Sequence, residues 1–383
     1  MKKICMLCVL MSLFLTACTD NSITSKEEKP LILPDSLKLT IELPSEYPEQ
    51  VQTYKVDWLD VKEETMVQVL LKEEVEERIQ WATGPQLQSE GEDFYEVLTL
   101  YDGDREGGFA YSYSKKNHPN KCDWVTNLWP GYPSYMTQVN RYNDRGDYTT
   151  EGDLSFKRQA DASKEIEDLL YACGFPPIQL QQAYLLDSET MNEHLALYYK
   201  ARSEWEEDNE DTQEHEFTED GYEDTEEYEF TEEDECYLFH HRQVQDEIPF
   251  INLAWSQTMR DVTTETVMYS LYGKDGVLRI DASGFYEIKE SLSTDSIINP
   301  EEAIAAYVEE YNKAIQFVET EIFEVELNYI VVYEAGAMFA KPAWIISTKY
   351  KVMGEDLNEV DEYEVAVVSA ITGVLIQSEK DLR

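Results

Sequence analysis

Apolar and polar positions alternate or recur at helical spacing along most of the chain, and these rhythms mark out its elements. "LKLTIEL" at 37–43 alternates as a half-buried strand does. Asp60, with Glu63 three residues on, can cap a helix over 62–72 whose apolar face is Met66, Val69 and Leu70. "FYEVLTLY" and "FAYSYSKK" flank "DGDREGG", the pattern of a hairpin, and close a first unit over 36–158. A second unit, 159–298, opens with "DASKEIEDLLYACG". Asp161 can cap that helix, Ile166, Leu169, Leu170 and Cys173 line it, and Gly174 stops it. "IQLQQAYLL" reads as a strand, and Met191, Leu195, Tyr198 and Tyr199 have helical spacing. "CYLFHHRQV" reads as a strand again, and "TVMYSLYG", "KDG" and "VLRIDASGFYEI" as a hairpin. In the last unit, 299–383, Asn299-Pro300-Glu301-Glu302 starts a helix striped by Ala303, Ile304, Tyr307, Val308 and Tyr311. Four strand-like runs follow it. The expected fold class is α+β, with tandem small modules each made of a helix packed on an antiparallel sheet.

Two segments break these rhythms. Glu204–Glu235 holds 19 acidic residues in 32, with no Lys or Arg, and echoes itself as "EFTED" at 216–220 and "EFTEE" at 229–233. Self-repulsion keeps such a stretch expanded, so it is expected to be a disordered insertion in the second unit. The other segment is the start. Met1-Lys2-Lys3 is basic, and Ile4–Ala17 is 14 residues without charge. A bilayer-spanning helix needs about 20 apolar residues, so 1–17 reads as a secretory signal peptide. Its end, Leu15-Thr16-Ala17-Cys18, resembles the lipobox of bacterial lipoproteins. The resemblance implies cleavage before Cys18 and covalent lipid on Cys18. No other cofactor is expected. Two acyl chains anchor stably, so the expected location is the extracytoplasmic face of the cell membrane. Residues 18–35 are then a lipidated flexible stalk. Cys5 and Cys8 leave with the signal.

Charge narrows the partners. The formal net charge is −48, and loss of Lys2 and Lys3 with the signal makes it −50. Such a field repels phosphate backbones, which excludes nucleic acid, and repels anionic lipid and wall polymers; cations and basic peptides fit it. The 26 tyrosines favour strand-rich, amphipathic surfaces. Cys122, Cys173 and Cys236 remain in the mature chain, and spacing does not choose between one disulfide and three thiols.

Candidate chemistry is sparse. Asp102, Asp104 and Glu106 form D-x-D-x-E-G, the front half of a calcium loop, but Tyr113 stands where the bidentate acid belongs; a polar hairpin turn accounts for the stretch equally well. His240 and His241 are adjacent on a strand and point to opposite faces, and His118, His194 and His215 lack ligand spacing, so no metal site is expected. Arg145-Gly146-Asp147 sits in "NDRGD", which is also good turn chemistry. G-x-S-x-G, H-E-x-x-H, S-x-x-K and phosphate loops are absent, and no catalytic residue is singled out.

"NPEEAIAAYVEEYN", "ELNYIVVY", "PAWIISTKY" and "VVSAITGVLI" together resemble the repeat unit of PepSY-like and YycH/YycI-like extracytoplasmic proteins. Pro342-Ala343-Trp344 and Ala370-Ile371-Thr372-Gly373 carry most of the match. "YLFHHRQVQDEIPFINLAW" and the hairpin at "GKDGVLRI" are similar to the segment before the last helix of that group. The resemblance covers roughly the last 150 residues. It implies a non-enzymatic surface protein that binds a protein or peptide partner, as group members do when they modulate sensor kinases or proteases. A sheet edge or groove in the last module suits an extended segment. The lipid anchor and the acidic insertion depart from the group, so no particular partner carries over. The alternative is a surface cation-binding lipoprotein or a novel extracytoplasmic hydrolase.

Overall fold

The computed structural model describes residues 31–101, 107–117, 148–196, 229–252, 266–313, 318–353 and 359–376. The described elements run, in chain order, β1 (Leu37–Leu39), β2 (Gln50–Trp58), α1 (Glu63–Leu70), β3 (Val75–Trp81), β4 (Gly84–Glu90), β5 (Phe94–Leu100), β6 (Phe109–Lys115), α2 (Gln159–Ala172), β7 (Ile178–Leu186), α3 (188–196), β8 (Cys236–Gln245), β9 (Ile248–Pro249), β10 (Val267–Gly273), β11 (Gly276–Ser283), β12 (Tyr286–Ser296), α4 (Pro300–Tyr311), β13 (Thr320–Glu334), β14 (Ala337–Met353) and β15 (Glu359–Ser369). All fall in one compact unit, Leu33–Arg383.

The expectation of tandem α+β modules is corrected. The molecule is 52% strand and 17% helix, and its strands form two large sheets of six and nine. Alternation marks a strand but does not say which strand it joins, and here the partners are remote. In the nine-stranded sheet the order is β3-β4-β5-β6-β11-β10-β8-β7, with β9 on β8. β6 therefore pairs with β5 by a hairpin, and on its other side with β11, Tyr111 opposite Ile280. In the six-stranded sheet the order is β1-β13-β14-β2-β12, with β15 on β14. Segments expected to be self-contained modules thus share sheets.

The pairing of β6 with β11 requires glycine. A Cβ on Gly108 would lie 1.9 Å from the Ala282 carbonyl oxygen, and one on Gly107, at φ +74°, 2.4 Å from that of Phe285. The nine-stranded sheet buries both faces over part of its width. Leu87, Leu98, Phe109, Tyr111, Tyr237 and Phe239 face Met66 and Leu70 of α1 and Ala162, Ile166 and Leu170 of α2. Cys236 and Leu238, the alternate positions of β8, face Met191 and Leu195 of α3. The expected helices are present, but two caps differ. α1 is preceded by Lys62 with no side-chain cap, and α2 by Arg158, which pairs with Asp161 inside the first turn at 2.7 and 2.8 Å. α4 has the full capping box: Asn299 Oδ1 accepts from Glu302 N–H at 2.7 Å, and Glu302 accepts from Asn299 N–H at 3.2 Å.

β14 is the spine of the six-stranded sheet. One edge lies along β13; the other changes partner, from β2 at Met338–Ala340 to β15 at Ala343–Met353. Pro342 stands at the change. Its carbonyl accepts from Ala370 N–H at 3.1 Å, so its missing N–H falls on the same side, in the gap between the two neighbours, where a ladder loses nothing. Trp344 next to it is fully buried and donates its indole N–H to the Ile298 carbonyl at 3.0 Å.

Residues 242–251 stitch the sheets together. Arg242 makes a fork of two bonds to Glu326, 2.7 and 2.8 Å. The Gln243 amide donates to the Tyr286 carbonyl at 2.8 Å and accepts from its N–H at 2.9 Å. Ile251 N–H bonds to the Tyr329 carbonyl at 2.9 Å. A column of rings, Trp58, Tyr286, Phe250, Tyr329 and Tyr54, runs through the same junction with centroids 4.8 to 5.8 Å apart.

Candidate functional site

The residues singled out for the address, Leu15, Thr16, Ala17 and Cys18, lie outside the described residues, as do Asp102, Asp104 and Glu106 of the calcium pattern. So do Cys122, His118, His215, Arg145-Gly146-Asp147 and the acidic tract up to residue 228. The arms on either side of the calcium pattern, β5 and β6, pair antiparallel from Phe94–Lys115 to Leu100–Phe109. Cys173 and Cys236 are both buried free thiols. They belong to cores on opposite faces of the nine-stranded sheet, so they cannot bridge each other. Burial pushes the Cys173 thiol up to about 12, the opposite of what a nucleophile needs.

His240 and His241 do point to opposite faces. His240 meets Tyr184 edge-on, while His241 Nε2 lies 3.2 Å from Ser163 Oγ of α2. Alternation did not foretell that Ser–His contact, because the two residues are brought together only by packing α2 on β8. Desolvation first, then the neighbouring His240, hold His241 down to about 3, so it is a neutral imidazole. Both partners are closed off from solvent, and among the described residues Nδ1 of His241 has no hydrogen-bond partner. The contact is a buried polar pair that joins α2 to β8. No described group of three or more His, Cys, Asp or Glu side chains could hold a metal ion.

Two other polar clusters were not legible beforehand. Glu96 is fully buried in β5, accepting from Tyr111 OH at 2.9 Å and from Lys72 N–H at 2.8 Å just past α1. Burial and then the Glu96 charge push the Tyr111 phenol far up. Lys157 bonds Glu165 at 2.6 Å and also Tyr272 OH. That lysine, and after it Tyr272, hold the Glu165 carboxyl below its usual range. Both clusters tie a helix to the sheet, and Glu96 also lines a cleft with Gln88, Val97 and Tyr95.

β15 is hydrogen-bonded to β14 along one side. On the other side, residues just beyond the turn at Gly373 (φ +70°) fold back on its end. Ile376 N–H donates to the Val367 carbonyl at 2.7 Å, and Ser369 N–H donates to the Val374 carbonyl at 2.9 Å. Backbone groups of Val367 and Ser369 thus point to the outer edge, and by the period of two so do those of Val365, Tyr363 and Asp361. Along that stretch Asp361, Glu362 and Glu364 supply negative charge. Tyr350 OH donates to Glu364 at 3.0 Å and Lys351 lies 3.7 Å from Asp361. The geometry is that of a strand able to accept another, with an acidic border.

None of the described helices is long and apolar enough to cross a membrane. No family model matches the chain, and no curated protein matches it. Among solved structures, the chain is similar in fold to an uncharacterised protein from Eubacterium rectale, at 15% identity and a TM-score of 0.55, over 91% of this chain and 92% of that one.

Proposed function

We propose that this chain is a cell-surface lipoprotein, anchored through lipid on Cys18, that acts without catalysis by binding a protein or peptide partner outside the membrane. The anchor rests on the basic start, the 14-residue apolar run and the Leu15-Thr16-Ala17-Cys18 box. The binding role rests on one observation above all: the outer edge of β15 already takes a short return of the chain through Val367 and Ser369, and the edge continues toward Asp361. A partner segment adds there as a strand, and the acidic border selects a basic one.

The experiment is crosslinking on intact membranes followed by identification of what co-purifies, with Asp361→Pro as the comparison. Proline there removes an N–H that faces outward and leaves the bonds to β14 in place. The reading expects one partner captured by the parent chain and lost with Asp361→Pro. Equal capture by both chains overturns the edge. Labelled palmitate incorporated by the parent chain and not by Cys18→Ser tests the anchor.

A further inference from the structure

The nine-stranded sheet has a face that the proposed peptide edge does not use. Opposite α1, the outward residues of β3, β4, β5 and β6 form a grid. Gln86 lies beside Thr99 and Ala110, Gln88 beside Val97 and Ser112, and Glu90 beside Tyr95 and Ser114. On β3, Ile79 lies beside Gln86 and Glu77 beside Gln88, so the floor is shallow, with Ile79, Val97 and Ala110 as its apolar positions, Glu77 and Glu90 as charges toward one end, and amides and hydroxyls between them.

Two aromatics stand at its corners. Trp81, at the end of the edge strand β3, is 53% exposed, and Tyr95 is 43% exposed. Trp81 is not loose. Its indole N–H donates to Gln86 Oε1 at 3.2 Å, and Gln88 Nε2 donates to the same oxygen at 3.3 Å. Gln86 Nε2 in turn donates to Thr99 Oγ1 at 3.4 Å. This relay crosses three strands and holds a flat apolar ring beside oriented donors and acceptors. A cleft of about 270 Å³ continues from it past Gln88, Val97 and Tyr95, and its far end carries the charges of Glu76, Glu77, Glu90 and Lys116. Trp81 and Tyr95 are six residues apart along the strands, roughly 20 Å, the span of a short oligosaccharide.

We propose that this face binds a neutral polysaccharide. A sugar ring has an apolar C–H face that stacks on an exposed indole, and a rim of hydroxyls that amide side chains match in both donor and acceptor sense. The centre of a protein-docking patch is apolar and depleted in such groups, which this floor is not. The charge of the chain, −48, selects against an anionic polymer. The proposal is independent of the partner edge, which lies in the other sheet.

The test uses full-length protein in detergent and a panel of soluble neutral polymers (a glucan, a xylan, a mannan and chitin oligosaccharides). Each is measured by affinity electrophoresis and calorimetry. The expected result is binding of at least one of them, with affinity lowered tenfold or more by Trp81→Ala and by Gln86→Ala. Tyr333→Ala, which removes an equally exposed aromatic of the other sheet, and Asp361→Pro leave it unchanged. Circular dichroism confirms that the variants stay folded. Failure of every polymer to bind overturns the proposal, as does binding that survives both Trp81→Ala and Gln86→Ala. Preference for a basic peptide on this face overturns it too.

Discussion

His241 gives the clearest consequence of a single side chain. It is held neutral down to about pH 3 in the fold, whereas an exposed histidine titrates near 6.5. Between those values the unfolded chain binds the extra proton, so folding stability from this group is complete above pH 6.5 and falls as pH drops. Between pH 7 and pH 5 the loss is about 2 kcal/mol. Urea titrations at the two pH values should show that difference, and His241→Gln should lack it. The adjacency of His240 and His241 was readable as opposite faces. The Ser163 contact was not, since the residues are 78 positions apart and only packing unites them. The same holds for Arg242 and Glu326. Arg242→Ala leaves Glu326 and Asn328 without their guanidinium and should cost about 3 kcal/mol, while the pair Arg242→Met, Glu326→Leu should come within about 1 kcal/mol of the parent in the same titrations. Asp246 and Glu247 form a two-residue turn with φ of 51° and 66°, values that suit Asn-Gly. Glu247→Gly should therefore raise stability by up to about 1 kcal/mol, read from the denaturation midpoint.

Local signals served the elements well where both halves of the signal lie close in the chain. Asn299 to Glu302 gave the start of α4, and its capping box formed. Asn299→Ala should cost about 1 kcal/mol by thermal melting. The hairpins β5–β6 and β10–β11 were legible for the same reason, each being two alternating runs around a turn. Two caps failed because the acid paired with a neighbouring cation instead. Asp60 was expected to cap α1 and instead pairs with Lys62; Asp161 was expected to precede α2 and lies within it. Gly108 carried no visible purpose in the pattern, because the backbone it approaches belongs to β11. Gly108→Ala should push β6 from β11 and destabilise the sheet by several times the cost of the Asn299→Ala change, with hydrogen exchange rising first at Ala110 and Tyr111.

At the scale of the molecule the apolar pattern located strands and left their neighbours open. A run such as "FAYSYSK" says that two sides of a strand need pairing. It does not say that the second side will be taken by "GVLRIDAS", far along the chain. That is why the expected modules became two shared sheets, and why the edge proposed for docking was expected only as some edge of the last segment. The face with Trp81 and Gln86 was invisible for a different reason: its residues come from separate strands and are ordinary one by one. Net charge, by contrast, is a property of the whole sequence and survives folding. With −48 to contain, the fold should gain from screening. Raising salt from about 0.01 M to 1 M shortens the Debye length from ~30 Å to ~3 Å, and the thermal midpoint should climb with it.

β1 has a mechanical meaning. It is three residues long and paired on β13, while β2 is clamped between β12 and β14. A load applied before Leu37 would meet β1 first, with its flanking bonds from Thr320 N–H to the Ser36 carbonyl and from Thr40 N–H to the Ile322 carbonyl, and only then β2. Residues 37–49 span at most about 45 Å when fully extended, and Tyr47 pins them part-way, edge-on against Trp344.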